Sequence, residues 1–96
     1  MAVHVLALTV DVRIAEAHSL KEKRSVVSTI LEGARRRFQV AVSETGRTDA
    51  HNRAELAFVG VSGSATHTAE LIDTVERFVW SFPEIDVLDE SRTWLS

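Results

Sequence analysis

The sequence predicts an α+β sandwich in which two helices cover one face of a four-stranded antiparallel sheet. Two long segments alternate apolar and polar residues as strands do, and two others repeat their apolar residues at helical spacing. The elements follow one another as strand, helix, strand, strand, helix, strand. Right-handed crossovers and pairing of the middle hairpin make the ferredoxin-like split β-α-β topology the expected solution, as one domain over residues 1–96.

The first and third strands are predicted over residues 3–14 and 53–62. One face of each is apolar and should contact the helices, with Phe58 among the residues that point inward. The opposite face has no helix over it and carries six small or branched apolar residues: Val3, Val5, Ala7, Ala57, Val59 and Val61. An uncovered apolar face usually marks association, so we expect a homodimer or another partner there, unless polar neighbours break up the patch.

Two shorter strands and a second helix complete the pattern. QVAVSET predicts a strand over residues 39–45, and EIDVLDE predicts the last strand over 84–90, followed by a short tail. The Gly-, Asp- and Asn-containing residues 46–52 form the intervening turn. The second helix is predicted over residues 66–82 and ends before Pro83.

The first helix has the strongest start signal in the chain. Ser19 is expected to cap it, and Glu22 should complete a capping box by accepting a hydrogen bond from the Ser19 backbone N–H. The helix continues to Phe38. Its core stripe is predicted to comprise Leu20, Val27, Leu31, Ala34 and Phe38.

Positive charges at the two ends of this helix have different explanations. Arg35, Arg36 and Arg37 complement the negative end of the helix dipole, whereas Lys21, Lys23 and Arg24 lie in the first turns, where the dipole disfavours cations. An external anion would explain the first-turn cations. Internal pairing of Arg24 with a carboxylate such as Glu44 or Glu55 is the favoured alternative for that residue, and a solvated face is favoured for the two lysines.

The predicted topology gathers basic residues at one end of the sheet. The end of the first strand, the start of the first helix and the middle hairpin all lie there. The residues expected to share this end are Arg13, His18, Lys21, Lys23, Arg24, Arg47, His51 and Arg53. Residues 1–53 hold nine basic and six acidic side chains and residues 54–96 two basic and eight acidic, so an acidic chain of net charge −3 can still present a basic end to a polyanion.

Several activities lack their sequence signatures. There is no cysteine, the four histidines have no metal-ligand spacing, and the four glycines form no phosphate-binding loop. Neither an RNP1 pattern nor an arginine-containing acylphosphatase loop is present. We therefore predict no catalytic residues, cofactor or metal, and a cytoplasmic protein with neither a secretory signal nor a membrane partner.

The sequence resembles the YlxP-like proteins, a bacterial family of small domains without an established function. The resemblance is carried by HVLALTVDVRI, HSLKEKRSVVSTILEGARRRF, QVAVSE, NRAELAFVGVS and PEIDVLDESRTWL, and so spans nearly the whole chain. It implies a ferredoxin-like fold. The family's genes often neighbour those for translation initiation and ribosome maturation factors, which implies ribosome-associated work but assigns no residue a role.

Two hypotheses about function follow. The leading one is a non-enzymatic accessory protein that contacts rRNA or ribosomal assembly particles through phosphates. Its candidate contacts are Lys21, Lys23, Arg24, Arg35, Arg36, Arg37, Arg47 and Arg53. The alternative is a dimeric protein-interaction or small-ligand regulatory module that uses the open sheet face. A small enzyme acting on a phosphorylated metabolite is a weaker third possibility.

Overall fold

A computed structural model describes residues 2–96, which excludes only the first residue of the predicted domain. The elements are β1 (His4–Arg13), α1 (Leu20–Phe38), β2 (Ala41–Gly46), β3 (Arg53–Ser62), α2 (Ala65–Trp80) and β4 (Asp86–Trp94). The strands form one sheet in the order β2-β3-β1-β4, and each neighbouring pair is antiparallel. The predicted β-α-β-β-α-β architecture is confirmed.

The two central strands separate a covered face of the sheet from an open one. β1 and β3 pair over their full length, with Leu8 opposite Phe58 and Ala7 opposite Val59. Leu8 and Phe58 are fully buried beneath the helices. Because side chains alternate along a strand, the odd-numbered residues of both strands lie on the open face. The predicted division of residues between the two faces is confirmed.

Helix α1 begins where the sequence predicts, although its capping box closes differently. The Ser19 hydroxyl accepts a hydrogen bond from the Glu22 backbone N–H at 3.1 Å. The Glu22 carboxylate accepts from the backbone N–H of His18 at 2.9 Å, and not from that of Ser19 as expected. The two hydrogen bonds are still reciprocal, but the backbone N–H that Glu22 accepts belongs to the residue before the N-cap.

The buried line of α1 is rotated relative to the predicted stripe. The four buried residues are Lys23, Val27, Ile30 and Ala34, whereas Leu20, Leu31 and Phe38 are only half-buried. The four buried residues are spaced by four, three and four positions, which places them on a single helix face. This rotation brings Lys23 under the helix and leaves Arg24 outside it.

Boundaries of β2 and α2 also differ from the prediction. β2 starts at Ala41 because Gln39 caps α1 in the left-handed conformation, with φ 56°. α2 starts at Ala65, since the Ser64 hydroxyl accepts the His67 backbone N–H, and it ends at Trp80, two residues before the expected end.

β4 covers Asp86–Trp94, so most of the expected tail is strand. Its outer part pairs with β1, with Ser91 opposite Thr9 and Trp94 opposite Leu6. The sequence signal is weak there because this edge strand is largely exposed and carries polar side chains on both faces. A register shift at Asp11 marks a bulge that contains Leu88. No helix within residues 2–96 is long and apolar enough to cross a membrane.

Candidate functional site: a cationic face on helix α1

The segments predicted to form the basic end lie together in the structure. Arg13 lies opposite Arg53 in one direction and Asp86 in the other, which puts the end of β1 and the start of β3 side by side. The backbone N–H of Ile14 donates to the Asn52 carbonyl at 2.9 Å and ties the β2–β3 loop to the same end. Helix α1 starts there too. The structure therefore brings the predicted residues to one end of the sheet. They differ in whether an acidic side chain of the same chain pairs with them.

Lys23, one of the predicted phosphate contacts, is not accessible to a ligand. Its side chain is fully buried, and Nζ lies 2.9 Å from Glu44 Oε2. Nζ also donates to the carbonyl oxygens of Arg47 at 2.9 Å, Arg53 at 3.2 Å and Thr48 at 3.3 Å. An ammonium enclosed by four acceptors has no direction left in which to meet an external phosphate. The expectation of a solvated Lys23 is wrong, and Lys23 is removed from the candidate contacts.

The predicted internal pairing of Arg24 with a carboxylate is also wrong, because Lys23 makes that pair instead. Arg24 is exposed, and within residues 2–96 it forms neither an ion pair nor a side-chain hydrogen bond. Neither Glu44 nor Glu55 is its partner, because Glu44 binds Lys23 and the Glu55 carboxylate accepts from the Thr45 hydroxyl. The guanidinium of Arg24 is therefore available to a ligand.

The other arginines at this end are paired with acids on the sheet. Arg53 Nη2 lies 2.9 Å from Asp11 Oδ2, and Arg47 Nε lies 3.5 Å from Asp11 Oδ1. Arg13 Nη2 lies 3.0 Å from Asp86 Oδ2. Asp11 sits on the open face of β1, so Arg47 and Arg53 turn toward the sheet face and away from α1. These pairs neutralise much of the charge that the sequence places at this end.

Arg35, Arg36 and Arg37 lie far from the basic end. A helical rise of about 1.5 Å per residue places Arg35 roughly 21 Å from Lys21 along the helix axis. Arg35 pairs with Glu32 at 2.7 Å, and this pairing raises the pKa of Arg35 and lowers that of Glu32. Arg37 lies over the Phe78 ring, 5.4 Å from its centroid. The eight candidate contacts therefore do not form a single site.

What remains is a stripe along the exposed side of α1, which we call the cationic face. At 3.6 residues per turn its members fall within an arc of about 120° that faces away from the sheet. It comprises Lys21, Arg24, Ser25, Ser28, Glu32, Arg35 and Arg36. Four of the seven are cationic, and its one acid, Glu32, is paired with Arg35. The stripe runs for about 22 Å, with two small hydroxyl residues between its charged ends.

The half of the molecule formed by α2 and β4 is acidic. On α2 and β4, Arg92 Nη1 lies 2.8 Å from Asp73 Oδ1, and Arg92 Nη2 lies 3.5 Å from Glu76 Oε1. Hydrogen bonding with Glu90, followed by burial, raises the pKa of Glu76 despite Arg92, whereas the hydrogen bond from Glu76 lowers the pKa of Glu90. The indole N–H of Trp80 donates to Glu90 Oε2 at 3.0 Å. Exposed Trp80 is thus tied to β4.

The residues that the structure describes offer little for metal binding. Across residues 2–96, no three histidine, aspartate or glutamate side chains are placed to hold a metal ion together. His18, His51 and His67 are exposed.

The architecture and surface define a small ferredoxin-like α+β domain with a cationic face on α1 and an acidic half formed by α2 and β4. Residues 5–92 match the family described as "Protein of unknown function (DUF503)", and the chain belongs to that family. It is also similar to "Uncharacterized protein YlxP" of Bacillus subtilis (strain 168), with 40% identity over 81 residues, which is 84% of this chain and 88% of the relative. The family resemblance in the sequence is confirmed, and it carries no assigned activity.

Proposed function

We propose that this protein is a non-enzymatic accessory factor that binds structured RNA, within a ribosomal particle, through the cationic face of α1. The observation that carries the proposal is the exposed stripe in which Lys21, Arg24 and Arg36 make no ion pair with any residue in 2–96. Unpaired cations on a rigid helix are suited to phosphate oxygens, which attract Lys and Arg irrespective of base sequence.

The chemistry between the charges supports the same ligand. Ser25 and Ser28 are exposed between the two cationic ends, and serine hydroxyls are common phosphate contacts. Their small side chains would allow a nucleic-acid backbone to approach the helix closely.

The charge distribution supports one orientation of binding. Residues 54–96 carry eight acids against two basic residues and supply α2 and β4. A polyanion would be repelled from that side and steered toward α1. The genomic neighbourhood implied by the family resemblance makes ribosomal RNA the natural ligand to test first.

Gradient co-sedimentation with ribosomal subunits and assembly intermediates, at low and at higher salt, tests the proposal. We expect salt-sensitive co-migration that Lys21→Glu with Arg24→Glu abolishes, because both side chains are exposed and the variant should remain folded. In titrations with a structured rRNA fragment, the negative slope of log affinity against log salt should become shallower by about two for that variant.

A matched control separates the cationic face from net charge alone. Arg24→Glu and Arg77→Glu make the same charge change on α1 and α2, and both residues are exposed. Only Arg24→Glu should weaken binding substantially. Equal weakening by both variants, or no co-migration of the wild-type protein at low salt, would overturn the proposal.

A further inference from the structure

Half of the open sheet face is a continuous uncharged apolar surface. The six residues predicted for it lie together, with Val5 opposite Val61 and Ala7 opposite Val59. The backbone N–H of Leu95 donates to the Val5 carbonyl at 2.8 Å, which adds a seventh apolar side chain beside β1. Val3, Val61 and Leu95 are 52%, 60% and 62% exposed. We call these seven residues the apolar half.

Charged residues of the open face are confined to its other half. Asp11, Arg13 and Arg53 lie toward the opposite end of the strands, where the ion pairs Asp11–Arg53 and Arg13–Asp86 balance part of the charge. Glu55 and Asp89 lie opposite Asp11 on β3 and β4, and neither makes an ion pair within residues 2–96. The apolar half therefore offers no charge with which to select a charged partner. Contact limited to the apolar half lets two copies of a chain of net charge −3 meet without bringing like charges together.

The dimensions of the face suit a second copy. β1 and β3 each have 10 residues in a sheet of four strands. With about 3.3 Å per residue and about 4.8 Å between strands, the face measures roughly 600 Å². Two stacked faces would bury roughly 1,200 Å² in total, which is within the range of specific interfaces. The apolar half alone would bury about half of that, so we expect a weak dimer centred on the apolar half.

We infer that two copies of this chain associate through their open sheet faces, around a two-fold axis that runs parallel to the strands. Such an axis places apolar half on apolar half and polar half on polar half, whereas an axis across the strands would set the apolar half against Asp11 and Arg53. The interface is isologous and closes with two copies. It lies opposite the helices, so it stands independently of any role for α1.

Sedimentation equilibrium across a wide range of protein concentration tests the inference. The wild-type chain should be a dimer that dissociates on dilution. Val61→Lys should shift it to monomer, since the side chain is mostly exposed in one copy but would place a charge within the apolar contact of the dimer. Leu88→Lys is the matched control, because Leu88 is an exposed apolar residue in the β4 bulge, outside the apolar half. It should remain dimeric.

Circular dichroism establishes that each variant is folded. If Val61→Lys unfolds, Leu95→Lys makes the same test after the end of β4, where it breaks no strand pairing of β3. A wild-type monomer at all concentrations would overturn the inference. So would a dimer that survives both Val61→Lys and Leu95→Lys, or assembly into species larger than a dimer, because each would place the contact elsewhere or leave it unclosed.

Discussion

Lys23 Nζ lies 2.9 Å from Glu44 Oε2, in a pocket that also contains three backbone carbonyls of the β2–β3 loop and of β3. The lysine is fully buried, and the glutamate side chain is 18% exposed. Three N–H donors are shared among four acceptors. The contact joins α1 to β2 and also anchors the loop in which Arg47 adopts a positive φ of 57°. One side chain thus holds a helix, a strand and a strained turn together.

Replacing Lys23 should destabilise the protein severely. Lys23→Met keeps the aliphatic stem but leaves the Glu44 carboxylate and three carbonyls without their donor, which we expect to cost about 3 kcal/mol of unfolding free energy. Urea denaturation measures it. Arg24→Met is the neighbouring control and should change stability by less than about 0.5 kcal/mol, because Arg24 is exposed. Similar effects of the two substitutions would contradict the geometry described for Lys23.

A double variant tests whether the Lys23 effect comes from the pair itself. Lys23→Met with Glu44→Gln removes both charges, so no unpaired carboxylate remains in the pocket. We expect it to be more stable than Lys23→Met alone, with a coupling of about 1–3 kcal/mol in a double-mutant cycle. Additive effects would show that the loop carbonyls, and not Glu44, are the partners that matter.

The raised pKa of Glu76 should make its contribution to stability fall as pH rises above the ordinary glutamate value. The raised pKa of Glu76 means that the native state binds its proton more tightly than the unfolded state, so stability is lost as pH rises from the ordinary glutamate value through the raised one. The lowered pKa of Glu90 acts in the opposite sense, and its contribution disappears only as pH falls through that lowered value.

Glu76→Gln isolates this effect. The amide can donate to the Glu90 carboxylate without a negative charge, so at about pH 7.5 the unfolding free energy should rise by about 1 kcal/mol or less, and the gain should shrink at about pH 5. Thermal melting at both pH values measures it. Glu70→Gln makes the same charge change at an exposed position of α2 and should show no such pH dependence. A gain of equal size at both pH values would argue against a raised pKa of Glu76.

Gly33 marks a close approach between the two helices. A Cβ at this position would lie 2.7 Å from Phe78 Cζ. The Phe78 ring is held edge-on by Phe38 and Phe82, with centroids 5.5 and 5.1 Å away. We expect Gly33→Ala to lower the unfolding free energy by about 1–2 kcal/mol, because overpacking outweighs the helix propensity gained.

Gly63→Ala provides the comparison for Gly33. Its Cβ would meet only the Ala2 carbonyl oxygen, at 3.8 Å, and no glycine within residues 2–96 has a positive φ. Chemical denaturation should therefore show a change of less than about 0.5 kcal/mol for this variant. A stabilised Gly33→Ala protein would mean that the Phe78 ring moves aside freely.

The fold could be predicted from the sequence because its central strands carry strong local signals. Alternation in β1 and β3 gave the division of the sheet into two faces, and Ser19 gave the start of α1. β4 was underestimated because its outer half is an exposed edge whose strand character comes from pairing with β1.

The candidate site was predicted less well, for a physical reason. Sequence reasoning treats a lysine as a solvent-facing residue, and Lys23 is buried only because Glu44 and three carbonyls from distant positions converge on it. One available signal was overlooked. Lys23 lies four residues before Val27 and seven before Ile30, in the spacing of a core position.

Burial of Lys23 also leaves the native protein with one lysine side chain that a reagent in solution can reach. The sequence contains two lysines, Lys21 and Lys23, and the second is fully enclosed while the first is exposed. An amine-directed reagent should therefore modify one lysine in the folded chain and reach the other only when α1 separates from the β2–β3 loop. Peptide mass spectrometry of Lys23 acylation over time would thus report how readily this single junction opens.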